Sequence, residues 1–109
     1  MPTPHAAPAA VRRALRKLGA DIQDARRRRQ LTMAVVADRA FTTRATLQRV
    51  EEGDPSVGMG IYAAVLHALG LLDGMSRVAD VSADIQGQIL GAEQLPKRIR
   101  LARRGKGDV

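Results

Sequence analysis

Between Leu31 and Gly53 the chain reads LTMAVVADRAFTTRATLQRVEEG, and its apolar positions repeat in two short helical periods. Val35, Val36 and Ala40 recur at roughly helical spacing, with small Ala37 where a second helix can pack closely. Thr32 precedes them as a side-chain cap. Thr42-Thr43 is a second start signal, followed by Leu47 and Val50 at i and i+3, an inward stripe. The opposite face of that helix carries Arg44, Thr46, Gln48 and Arg49. Gly53 and Pro55 then form a stop signal.

On either side the pattern is also helical. Val11, Leu15, Leu18, Ile22 and Ala25 recur every three or four residues, which predicts a long helix over 9–30 with Gly19 as its weak point, able to end one helix and begin another. Ser56 is the expected cap of a helix over 61–70, whose stripe is Ile61, Ala64, Val65, Ala68 and Leu69. Backbone amides of the loop before it can bind a phosphate. A short helix follows within 71–81. Ser82 is then the expected cap of a last helix with Ile85, Ile89 and Ala92, weakened by Gly87 and Gly91. That helix is equally readable as a dimerisation or partner element and as a plain core helix. The three prolines of residues 1–8 predict a loose arm. Residues 96–109 read as a mobile basic tail, with Pro96, Gly105 and Gly107 against regular structure. The expected layout is an arm over 1–8, a helical domain over 9–81, a C-terminal helix over 82–95 and a tail over 96–109.

Charge changes this picture from a plain helical bundle to one with an anionic partner. The net charge is +7 and the pI about 11.2, which favours nucleic acid first and an acidic protein or membrane surface next. Arg12, Arg13, Arg16 and Lys17 form one basic cluster and Arg26 to Arg29 another, each readable as a solvated face or as phosphate contacts. One Phe, one Tyr and no Trp argue against base stacking on single strands. The absence of cysteine removes disulfides and thiolate chemistry. No paired His and no Gly-rich phosphate loop point to catalysis or to a cofactor. His67 stands alone, so a metal site is not expected. Tyr62 reads as packing or a phosphate contact. There is no signal peptide and no apolar run long enough to span a bilayer, so a cytoplasmic, nucleoid-associated protein is expected.

Two helices of about one to two turns, joined through about three residues, have the spacing of the DNA-binding helix-turn-helix. The residues Leu31-Thr32, Ala37, Thr43, Thr46-Leu47, Glu51-Glu52-Gly53, Pro55 and Ala68-Leu69-Gly70-Leu71 stand in an order that resembles the lambda-repressor-like, or Xre-type, regulators, over roughly Leu18 to Leu72. The resemblance implies an all-α fold: a five-helix DNA-binding domain, here with an extra C-terminal helix and a basic tail. It implies that Arg44, Ala45 and Arg49 read bases in the major groove of double-stranded DNA and that Thr43 contacts phosphate. Thr32, Thr46 and Gln48 complete the expected DNA-binding set. Bidentate arginine contacts would place guanine in the half-site; contact of both arginines with phosphate is the alternative. Arg26 and Glu51 are implied as a partly buried structural ion pair.

Two positions depart from the family pattern. Met33 stands where a DNA-touching Gln is usual, and Phe41 stands where the turn usually has Gly. Phe41 either carries strain at positive φ or fills the gap between the helices.

A narrower resemblance rests on Leu69 to Asp73 and Leu95 to Arg100, which look like the HipB-type antitoxins that accompany HipA-like kinase toxins. It implies a homodimeric repressor of its own operon that also binds a toxin. The competing expectations are a stand-alone repressor, a sequence-blind nucleic-acid-coating protein, and an interaction module that has lost DNA binding.

Overall fold

Helix α1 runs without interruption from Ala9 to Arg28. In the computed structural model, residues 7–104 are described, with side chains as far as Gln94. The expected arm therefore lies, through Ala6, outside the described residues, and Pro8 is the N-cap of α1. A proline suits this place because the first helical turn has no use for its missing N–H.

Gly19 does not divide the helix. It is buried, and a Cβ there would lie 2.6 Å from the carbonyl oxygens of Val50 and Glu51 and 2.7 Å from the amide of Gly53. The missing side chain lets α1 pass directly against the end of another helix, which is a packing role rather than a helix stop.

Three further helices complete the body of the first unit: α2 (Met33–Arg39), α3 (Arg44–Glu51) and α4 (Met59–Ala68). The first four helices all end in the same way. One residue past each C-cap the backbone enters the left-handed region, at Gln30, Phe41, Gly53 and Gly70. The next amide then bonds back across the last turn: Leu31 to the Arg26 carbonyl, Thr42 to Ala37, Asp54 to Arg49, and Leu71 to Leu66. This motif satisfies carbonyls that a helix end leaves open.

The core consists of Ile22 and Ala25 from α1, Val36, Ala37 and Ala40 from the α2 segment, Leu47 and Val50 from α3, Val57, and Tyr62, Val65, Leu66 and Leu69 from the α4 segment. Val35 and Val11 are not in it, at 37 % and 45 % exposed. Val36, Ala37 and Ala40 already fill the inward side of α2, and one residue of helical rotation carries Val35 to the rim. Val11 lies a turn before the packed part of α1 and lines an open apolar groove with Leu15, Leu18, Pro55, Val57, Met59, Tyr62 and Met75.

Short α5 (Leu72–Ser76) follows, and contacts divide the chain into two units between Met75 and Ser76. In the second unit a 3-10 turn over Val81–Ala83 is capped by Asp80. Helix α6 then runs from Ile85 to Arg104.

Three expectations are corrected here. Ser56 does not cap α4: its hydroxyl and amide both bond to the Asp54 carboxylate, and Gly58 takes the N-cap. Ser82 does not cap α6: Asp80 holds it, and Asp84 accepts from the Gly87 amide. In each case an Asp two residues ahead captured the Ser in a local turn. Finally, the helix continues past Leu95 and through Pro96 to Arg104. Proline disturbs one turn, while the Leu, Lys, Arg and Ala around it are strong helix formers. The rest of the tail, 105–109, lies outside the described residues.

Candidate nucleic-acid interface

Helix α3 is seated by charge as well as by apolar burial. Arg26 Nε donates to Glu51 Oε2 at 2.7 Å and Nη2 to Oε1 at 3.1 Å, so the two planar groups meet edge to edge. The side chains are 10 % and 4 % exposed. Arg26 Nη1 also donates to the Leu31 carbonyl at 3.1 Å, and Gln23 Nε2 to Glu51 Oε1 at 3.3 Å. The hydrogen bonds to Glu51 raise the Arg26 pKa above its ordinary value against the opposing effect of burial. One cluster thus ties α1, the turn after it and α3. Arg26 consequently leaves the basic surface run, in which Arg27, Arg28 and Arg29 remain exposed.

The N-terminus of α3 is fixed by Thr43, whose Oγ1 accepts from the Thr46 amide at 3.1 Å and donates to Thr46 Oγ1 at 3.0 Å. Thr46 is only partly exposed and its hydroxyl belongs to this cap. Thr32 caps α2 in the same way, accepting from the Val35 amide at 3.2 Å. With Leu47, Val50 and Glu51 inside, the outward face of α3 consists of Arg44, Ala45, Gln48, Arg49 and Glu52.

These outward residues are not equivalent. Arg44, on the first turn, is exposed and has no hydrogen-bond or ion-pair partner among the described residues. Gln48 Nε2 donates to Glu52 Oε2 at 3.3 Å. Arg49 is already engaged: Nε meets Asp54 Oδ2 at 3.0 Å and Nη2 donates to Ser56 Oγ at 2.7 Å. Hydrogen bonds from Ser56 first, and from Arg49, lower the Asp54 carboxyl to about 2. Tyr62, its pKa raised by burial, donates its hydroxyl to the Asp54 carbonyl at 2.9 Å. Arg49 thus joins α3 to the loop in front of α4. Sequence reading missed this network, although Asp-Pro-Ser directly after Gly53 is an Asx-turn signal. The Gln48–Glu52 pair was visible as an i, i+4 spacing.

Phe41 takes the first of its two expected roles. It has φ 57 and is 96 % exposed, so it carries strain and fills no gap between α2 and α3. Among the described residues, no group of three or more His, Cys, Asp or Glu could hold a metal, and no helix is long and apolar enough to cross a membrane.

A capped, outward-facing helix set by a tight turn on a shorter one and locked from behind defines a helix-turn-helix protein. Comparison with known families agrees: residues 17–79 match the model described as a helix-turn-helix domain, and the chain belongs to that family. The match covers α2, the turn and α3, and it makes the chain a DNA-binding regulator by family. No curated protein and no solved structure matched the chain.

Proposed function

We propose that this chain is a sequence-specific transcriptional repressor that binds double-stranded DNA as a homodimer, with α3 in the major groove. The observation that carries this is Arg44, a guanidinium with no partner among the described residues, on the first turn of a helix whose opposite face is locked by a buried ion pair. Arg44 reads guanine through two hydrogen bonds, worth about 1–3 kcal/mol of discrimination. Ala45 offers its methyl beside it. Thr43 and Thr32, at the starts of α3 and α2, approach phosphate, and Gln48 assists. Thr46 supports the cap. Arg49 keeps its link to Asp54 and Ser56 and acts by holding the helix end, with its remaining N–H groups directed to DNA.

Two copies place their α3 helices in successive major grooves, about 34 Å apart, on a near-palindromic site. Repression is steric, by occupation of a promoter. The narrower reading, an autoregulatory antitoxin with a HipA-like kinase partner, is supported by the two short motifs at Leu69 to Asp73 and Leu95 to Arg100. Toxin binding would then couple to operator binding, equally in both directions.

Fluorescence anisotropy against the chain's own upstream DNA and a shuffled duplex, at about physiological salt, tests the reading. We expect a preference of roughly a thousandfold that falls about tenfold or more in Arg44→Ala, with phosphate-driven binding retained. Equal, steeply salt-dependent binding to both duplexes would replace the repressor reading with a coating role. Pull-down of the neighbouring gene product tests the antitoxin reading separately.

A further inference from the structure

Phe41 combines two unfavourable states. Its backbone is left-handed, at φ 57, where a residue with a Cβ is crowded. The residue is 96 % exposed, the highest value among the exposed large apolar residues described. Glycine would remove both problems, and α3 and α4 use glycine at the corresponding position, Gly53 and Gly70. Gln30 shares the left-handed backbone at the end of α1, but its polar side chain is at home in water. Neither packing nor backbone geometry accounts for an aromatic ring at residue 41, and strain kept at an exposed site points to a function.

The position of the residue identifies the partner. Phe41 precedes the N-cap of α3 by two residues, three and four positions ahead of Arg44 and Ala45 in the chain, and all three are exposed. In a helix-turn-helix it is this end of the second helix that meets base edges. The apolar group of the major groove is the thymine 5-methyl, and Phe is among the side chains that contact it. We infer that Phe41 packs on thymine methyl groups at the edge of the half-site, adding an apolar contact to the polar one made by Arg44. This inference rests on the DNA-binding reading of α3.

The test uses the full chain and two versions of its own upstream duplex, one natural and one with uracil replacing thymine, which deletes only the methyls. Phe41→Gly is expected to raise Tm by about 4 °C through relief of the backbone strain. The same variant should bind the thymine duplex about tenfold more weakly than wild type and the uracil duplex nearly as well as wild type does. Phe41→Tyr, which keeps the ring, should retain thymine-duplex affinity. Phe41→Gly binding the thymine duplex as tightly as wild type, or losing the same factor on both duplexes, overturns the methyl contact alone. Failure of wild type to prefer its own duplex over a shuffled one overturns the α3 reading and this inference together.

Discussion

Arg26 and Glu51 illustrate what one residue contributes at this site. Two charges so far out of water stabilise the fold only as a pair, because truncating either leaves the other buried and uncompensated. Arg26→Ala is expected to destabilise the protein by about 3–5 kcal/mol in urea unfolding, while Arg26→Met with Glu51→Leu together lose far less. A single-variant loss below about 1 kcal/mol would mean that the pair is solvated. The family pattern pointed to these two residues. It gave no sign of Gln23 and the Leu31 carbonyl, which complete the hydrogen bonding, because three-dimensional proximity has no signature in a local window. Arg49 shows the same limit from the other side. Its place on the outward face was legible, but its engagement by Asp54 and Ser56 depends on how the loop folds back.

At the scale of elements, the crossing of α1 over the end of α3 sets the angle at which α3 is presented. Gly19→Ala tests it. The added methyl would lie under 3 Å from three backbone atoms that cannot rotate away, so the helices must separate. We expect a loss of about 2 kcal/mol, the opposite sign from the gain that helix propensity alone gives this change. A neutral or stabilising result in thermal unfolding would show that the crossing is loose. Propensity is also why Gly19 reads as a weak point of the long helix: glycine scores against a helix whatever packs on it. The existence and order of the first four helices were legible from their periods. Their ends were less so, because Gln30 and Phe41 stand in left-handed positions where glycine is the usual signal. Helix α6 runs beyond residue 95 for a related reason: Pro96, Gly105 and Gly107 read against regular structure, whereas strong helix formers flank Pro96 on both sides.

For the whole molecule, the net charge of +7 supplies long-range attraction to DNA, and the second unit supplies unmet apolar surface. Val78, Val81, Ile85, Ile89 and Leu90 are all more than half exposed, within a unit whose α6 runs for 20 residues. We propose that α6, readable from its sequence as a dimerisation or partner element or as a core helix, pairs with its counterpart in the homodimer proposed above. Ile89→Asp should shift sedimentation from a dimer toward the 11.7 kDa chain and weaken binding to a full operator far more than to a half-site. A dimer that persists in this variant would move the interface elsewhere. The division of labour within α3 has a consequence of another kind. Leu47, Val50 and Glu51 hold the helix in place, whereas Arg44, Ala45 and Gln48 take no part in the core. Substitutions at these outer positions can accumulate without disturbing the body beneath. If α3 reads DNA as proposed, a lineage built on this scaffold is free to change the sequences it recognises while inheriting the same fold.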